Sequence, residues 1–148
     1  VYSLSATGLI SSITLEKRTD RFLPNLFAIG IYALTSFLFF NKLGFRGVMF
    51  YAIVCFSITI LVMSAITLIW KISVHACAMG GLVGFLFATT IFSGKSEVLL
   101  VPCCISAILL GCLMSARMYL GCHSSKQVWA GASLGIVSAF LTIFLVSG

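Results

Sequence analysis

Charged residues divide this chain into long uncharged blocks, and five of these blocks are predicted to be membrane-spanning helices. The predicted spans cover approximately residues 22–41, 47–70, 72–94, 98–117 and 127–147. Each is long enough to cross about 30 Å of hydrocarbon at 1.5 Å per residue. Their apolar runs are continuous, as in Phe37–Phe40, and lack the alternation that lines a membrane barrel. The pattern therefore predicts an all-α fold, a polytopic transmembrane helix bundle.

Glycines recur at helical spacing in two of the predicted spans. Gly80, Gly81 and Gly84 lie in the third span, and Gly131 and Gly135 lie in the fifth. Small residues at this spacing allow neighbouring helices to approach closely, so we interpret these glycines as ordinary packing positions.

The composition agrees with a membrane protein and argues against other classes. Hydrophobic residues make up 61% of the 148 positions and charged residues 8%, which is more apolar surface than one water-soluble core of this size can hide. The formal net charge of +6 does not indicate nucleic-acid binding, because the basic residues flank the spans and form no stripe. The six cysteines lack the spacing of a metal site, and a disulfide framework is not expected in membrane spans. No metal or other cofactor is predicted.

The first 21 residues differ from the transmembrane domain, residues 22–148, that follows them. Val1–Leu15 is uncharged and rich in serine and threonine, and we expect it to be the tail of an upstream helix. It lacks the basic start and cleavage site of a secretory signal peptide. Residues 16–21 are predicted to form a basic segment at the membrane interface.

The topology of five alternating spans brings the chain's two histidines to one face. His75 lies at the start of the third span and His123 shortly before the fifth, so both are expected at similar membrane depth. Arg117, at the end of the fourth span, joins them on that face. Ionisable groups placed at the edge of membrane spans usually have a function. An arginine and two imidazoles suit phosphoryl chemistry, because guanidinium binds phosphate oxygens and imidazole can act as nucleophile or general acid. Ser73 is a candidate helix cap that would direct backbone N–H groups towards an anion.

These residues resemble the motifs of a known family. The stretch Ile72-Ser73-Val74-His75 resembles a degenerate form of the Pro-Ser-Gly-His motif of the phosphatidic acid phosphatase type 2 superfamily. The stretch from Ala116-Arg117 to His123 is similar to that family's second signature, Ser-Arg, five residues, His, three residues, Asp. The Arg-to-His spacing is the same, and the resemblance extends from about Thr14 to the C-terminus.

This resemblance implies roles for individual residues. His123 would be the nucleophile that becomes phosphorylated, His75 the acid that protonates the leaving group, and Arg117 and Ser73 the phosphate ligands. The resemblance also implies a six-helix core, of which this chain has five spans and lacks the first helix. The site would lie at one membrane surface, facing the periplasm of the bacterial inner membrane in many members, and the substrate would be a membrane lipid phosphate.

The chain departs from the family pattern at several positions. Gln127 stands where the family has Asp, and it can orient the His123 imidazole without supplying a negative charge. Glu16 and Leu23 occupy the positions of two upstream phosphate-binding cations. Lys17 and Arg21, four residues apart and on one face of a helix if one forms, are candidates to replace them.

The departures leave two interpretations of the basic residues and of the whole chain. Lys17 and Arg21 either contact phosphate or anchor the segment at lipid headgroups, and Lys71 either contacts phosphate or extends its amine to the interface. The resemblance as a whole leads us to expect a membrane lipid phosphatase that acts through a phosphohistidine. The alternative is a catalytically impaired relative that binds a lipid phosphate or has a structural role.

Overall fold

Five long helices make up the part of the chain that the computed structural model describes, residues 22–42, 48–92 and 96–147. They are α1 (Phe22–Lys42), α2 (Val48–Ile69), α3 (Val74–Phe92), α4 (Ser96–Tyr119) and α5 (Ser125–Ser147). No strand occurs within these ranges. All five helices are long and apolar enough to cross a membrane, so the fold is an all-α helical bundle that fits an integral, multi-pass membrane protein.

The outward surface of the bundle supports a location in lipid. Large apolar side chains on every helix are exposed, among them Ile69, Val98 and Leu145. Hydroxyl groups within the helices instead donate hydrogen bonds to carbonyl oxygens three or four residues earlier, which satisfies them where water is absent. Residues that do so are Thr35, Ser36, Ser57, Thr59, Ser64, Thr67, Thr89, Thr90, Ser106, Ser138 and Thr142.

The observed helices match the predicted spans in number and differ from them by a few residues at the ends. α4 runs from Ser96 to Tyr119 and α5 begins at Ser125, so each extends beyond its predicted span and takes in a charged residue there, Glu97 in α4 and Lys126 in α5. α3 begins two residues later than its uncharged block does, since Ser73 caps it. Charge therefore marks the membrane boundary, whereas capping residues mark the end of the helix.

α3 and α5 run parallel and form the centre of the bundle. Residues further along α3 contact residues further along α5: Gly80 lies against Ala132, and Gly84 lies against Ile136. A Cβ added at Gly135 would overlap the Cys77 carbonyl oxygen, so the two backbones touch without intervening side chains. The prediction that these glycines are packing positions is confirmed.

The best-packed part of the molecule lies at the beginning of α3 and α5. Ile72, Ser73 and Val128 are fully buried there. Two apolar clusters flank this point. One contains Ala76, Leu110, Met114, Val128 and Ala132, and the other contains Met63, Ile72 and Cys77. Because the first cluster includes Leu110 and Met114, the C-terminal end of α4 lies beside the N-terminal ends of α3 and α5.

Candidate functional site

Ser73 caps the N-terminus of α3. Its carbonyl oxygen accepts a hydrogen bond from the Cys77 N–H at 3.0 Å, and its Oγ accepts one from the Ala76 N–H at 3.4 Å. The residue is 0% exposed. Serine is favoured at this position because its hydroxyl satisfies an N–H that the helix itself leaves unpaired.

Ser124 and Gln127 close the N-terminus of α5 in a related way. The Ser124 carbonyl oxygen accepts hydrogen bonds from the N–H groups of Gln127 and Val128, both at 3.1 Å. The Gln127 side chain returns the contact, since its Oε1 accepts the Ser124 N–H at 3.1 Å. This return contact is one half of a capping box, in which the third helical residue satisfies the backbone of the capping residue.

The two capped ends lie side by side. The Ser73 N–H donates to the Gln127 carbonyl oxygen at 3.3 Å, which joins the start of α3 directly to the first turn of α5. Gly131 permits this approach, because a Cβ there would overlap the Ser73 carbonyl oxygen. Since the helices are parallel, the positive ends of two helix dipoles face the same end of the bundle. This arrangement favours an anion at that end.

His123 is held at this paired end by Gln127. The residue is 7% exposed, and its Nδ1 lies 3.3 Å from the Gln127 Oε1. The oxygen must be an acceptor, because the Ser124 backbone N–H already donates to it. In a neutral His123 the proton therefore lies on Nδ1 and the lone pair on Nε2. Gln127 thus selects the ring tautomer that is suited to nucleophilic attack through Nε2.

Arg117 lies in the last turn of α4, three residues after the buried Met114. Its Nε is buried and has no hydrogen-bond partner among the described residues. Leaving a buried N–H of a charged group without a hydrogen bond lowers the stability of the fold by more than about 1–3 kcal/mol. Such a group is therefore usually satisfied by an ion or a ligand. The guanidinium is therefore a candidate anion ligand at the same end of the bundle as Ser73 and His123.

The other described residues that the sequence predicts for this site lie at the same end of the bundle. His75 is the second residue of α3 and is exposed, while Lys71 is half-buried in the connection between α2 and α3. Lys17 and Arg21 fall outside the described residues. The structure therefore joins Ser73, Gln127 and His123 by direct contacts and places Arg117, His75 and Lys71 around the same end.

Ser124 is a site residue that the sequence analysis missed. Its backbone N–H fixes the Gln127 amide oxygen, and so indirectly fixes the His123 ring. The signal was present in the sequence, because Ser-x-x-Gln is the pattern of a capping box.

The chemistry of this end suits an anion more than a cation. Among residues 22–42, 48–92 and 96–147, no group of three or more His, Cys, Asp or Glu side chains could hold a metal ion. The groups at this end are two helix N-termini, Arg117, two lysines (Lys71 and Lys126) and two histidines, which are donors or cations. They can bind a phosphate, and His123 can in addition supply a nucleophile.

Comparisons with known protein families, with curated proteins and with solved structures found no match to this chain.

Proposed function

We propose that this protein hydrolyses a phosphate monoester or diphosphate of a membrane lipid through a phosphohistidine intermediate. His123 Nε2 attacks phosphorus, the bond to the lipid oxygen breaks, and His75 gives its proton to that oxygen. A water molecule then attacks the phosphorus of phosphohistidine and passes a proton to His75. The bond between Nε2 and phosphorus breaks, which releases inorganic phosphate and returns the lone pair to His123. Arg117 and the N–H groups at the start of α3 stabilise the charge on the phosphoryl oxygens during both steps.

The contact between His123 and Gln127 is the observation that supports this proposal most directly. It orients a nearly buried imidazole at the junction of two helix N-termini, with the lone pair on Nε2. In carboxylate–imidazole hydrolases the same orienting contact determines which nitrogen reacts.

The likeness of the motifs to the lipid phosphatase superfamily supplies the substrate class and the cellular location. Residues 72–75 and 116–123 carry that resemblance. We accordingly assign the substrate as a lipid with a phosphate headgroup at the bilayer surface. The corresponding location is the periplasmic face of a bacterial inner membrane.

The test is release of inorganic phosphate by the purified protein in lipid nanodiscs. Phosphatidate, phosphatidylglycerophosphate and an isoprenyl diphosphate are the substrates, and release is followed from acid to neutral pH. His123→Ala should abolish release, while Ser133→Ala, an exposed serine on α5, should leave it unchanged. If the unaltered protein releases no phosphate from any of the three lipids, the hydrolase proposal is wrong.

One observation favours a second candidate function, a non-catalytic protein that binds a lipid phosphate or supports the bundle. Gln127 is neutral, and its capping contact with Ser124 alone explains its presence. Replacing the carboxylate of a carboxylate–imidazole pair by an amide costs about ten-thousand-fold in kcat in a well-studied hydrolase. A weakly active or inactive relative would therefore retain this geometry.

Gln127→Glu distinguishes the two functions more cleanly than aspartate does. Glutamate has the length of glutamine, keeps an oxygen for the Ser124 N–H and adds a negative charge beside the His123 ring. A catalytic scaffold should gain at least about tenfold in phosphate release, because the charge stabilises the imidazolium. Gln127→Asp is the second arm. If neither variant releases more phosphate than the unaltered protein does, the binding role is supported and the catalytic one is contradicted.

A further inference from the structure

One side of α5 is exposed along most of its length, and its side chains change character from one end to the other. At 3.6 residues per turn, the exposed residues on this side lie within about a third of the helix circumference. They are Lys126, Trp129, Ser133, Val137 and Leu141, and we call them the outward face of α5. The face thus begins with a cation and an indole and continues with aliphatic side chains.

Neighbouring helices occupy the other sides of α5. Gly131 and Gly135 face α3, on the side of α5 opposite to the outward face. The flanking sides pack into the two apolar clusters through Val128, Ala130, Ala132 and Leu134. Within the described ranges, the outward face is therefore turned away from the bundle and towards the surrounding membrane.

The order of side chains along the outward face matches the order of groups along a phospholipid. Lys126 is the second residue of the span that begins at Ser125. At 1.5 Å per residue, Trp129 lies about 4.5 Å further along the helix than Lys126, and Val137 about 16.5 Å further. In a bilayer the phosphate lies outermost, the glycerol ester lies beneath it and the acyl chain lies innermost. Ammonium, indole and aliphatic groups favour these three layers in the same order.

The charge at this end of the bundle favours an anionic lipid. Among the described residues, the charged ones at this end are Lys71, Arg117 and Lys126, and all three are cationic. At the opposite end, the described cation Lys42 is accompanied by the acidic Glu97. Lysines near a membrane surface attract anionic headgroups, and Lys126 is the exposed one of the three cations at the site end.

We propose that the outward face of α5 binds an anionic phospholipid that is distinct from the substrate. Its phosphate lies at Lys126, its glycerol ester at Trp129, and one acyl chain lies along Val137 and Leu141. The occupant is a phospholipid because the face supplies partners for all three of its layers in the right order, and it is anionic because of the charge. Such a lipid keeps the start of α5, which carries Gln127, at the level of the headgroups.

The tryptophans of the chain allow a direct test. The sequence contains two, Trp70 and Trp129, so Trp70→Phe leaves Trp129 as the single indole reporter. Trp129 is 61% exposed, and bromine on a lipid chain quenches indole fluorescence on contact. The protein is reconstituted in phosphatidylcholine vesicles that contain a minor fraction of phosphatidylglycerol. Bromine, near the ester end of the acyl chains, is carried either by the phosphatidylglycerol or by an equal amount of the phosphatidylcholine.

Brominated phosphatidylglycerol should quench Trp129 at least about threefold more than brominated phosphatidylcholine does, because a lysine at the surface favours the anionic lipid. Equal quenching by the two lipids would overturn the proposal, since the face would then hold any boundary lipid. Weak quenching by both lipids would also overturn it, because a second copy of the chain would then cover the face.

Variants of single lysines test the location in the same Trp70→Phe background. Lys126→Gln should remove the preference for phosphatidylglycerol, whereas Lys126→Arg should retain it, because the charge is kept. Lys42→Gln is the matched control, since Lys42 is an exposed lysine at the opposite end of the bundle. An undiminished preference in Lys126→Gln, or an equal loss in Lys42→Gln, would contradict the assignment to the outward face.

The lipid-binding proposal and the hydrolase proposal fail separately. Phosphatidylglycerol is a phosphodiester without a terminal phosphate, so its binding is measured whether or not the protein releases phosphate. A preference for phosphatidylglycerol without phosphate release from any substrate would retain the lipid site and overturn the hydrolase. Phosphate release without the preference would retain the hydrolase and overturn the lipid site.

Discussion

The α3–α5 pair and the α1–α2 hairpin are held together in different ways. In the α3–α5 pair, glycines bring backbone against backbone over several turns, and a Cβ at Gly131 or Gly135 would overlap the neighbouring helix. In the antiparallel hairpin, one hydrogen bond between Asn25 Nδ2 and Ser64 Oγ at 2.9 Å joins the helices near the site end. A ring contact between Phe40 and Phe50 joins them at the other end.

The two pairs also differ in which of them carries the residues of the candidate site. The α3–α5 pair carries Ser73 and Gln127 and so fixes the candidate anion site. The hairpin contributes no residue to the described hydrogen bonds of that site. Close backbone packing thus coincides with the candidate anion site. Since lipid surrounds both pairs, van der Waals contact and interhelical hydrogen bonds, more than hydrophobic burial, determine the strength of each.

The largest expected effect comes from filling the seam of the α3–α5 pair. Gly135→Val places a branched side chain against the backbone of Cys77 and Gly81, which cannot move aside as a side chain could. Overpacking of this kind costs about 3 kcal/mol or more. We expect little monodisperse protein by size-exclusion chromatography and a lower unfolding temperature in detergent.

Gly111→Val is the matched control, since nothing lies within 4 Å of a Cβ added at Gly111 on α4. It should behave as the unaltered protein does. Equal behaviour of the two variants would contradict the claim that backbone contact holds α3 and α5 together.

An intermediate effect is expected from removing the α3 cap. Ser73→Ala loses the hydrogen bond to the Ala76 N–H in a fully buried position, which should lower the free energy of unfolding by about 1 kcal/mol. Ser133→Ala, on the exposed side of α5, should have no measurable effect. Denaturant titration in detergent measures both. A loss no greater than that of Ser133→Ala would show that the cap does not stabilise the paired helix ends.

The smallest effect is expected in the hairpin. Asn25→Ala removes the hydrogen bond to Ser64, and such bonds between membrane helices contribute about 0.6 kcal/mol on average. A double-mutant cycle with Ser64→Ala should return a coupling energy of that size. Asn41→Ala provides the reference, because the Asn41 side chain bonds only to the Phe37 carbonyl oxygen of its own helix among the contacts described. A coupling energy between Asn41 and Ser64 equal to that between Asn25 and Ser64 would contradict the claim that this hydrogen bond joins the two helices of the hairpin.

The fold was largely predictable from the sequence, and the details of the site were not. Charge placement alone located all five helices, and the spacing of Gly80, Gly84 and Gly135 indicated where helices pack closely. The contact between Ser73 and Gln127 could not be foreseen, because it depends on how two distant helices are aligned along their axes. The burial of the Arg117 Nε depends similarly on the rotation of α4. The roles assigned to His75, Arg117 and His123 stay predictions until catalysis is measured.

The turn between α4 and α5 has a consequence for how the site can change shape. Gly121 has a φ of 63°, a left-handed conformation that costs other residues about 1–2 kcal/mol, and it ends α4 abruptly. Only residues 120–124 separate the two helices. So short a connection limits how far the backbone positions of Arg117 and His123 can move apart. The turn therefore restricts the separation between the guanidinium-bearing and imidazole-bearing residues.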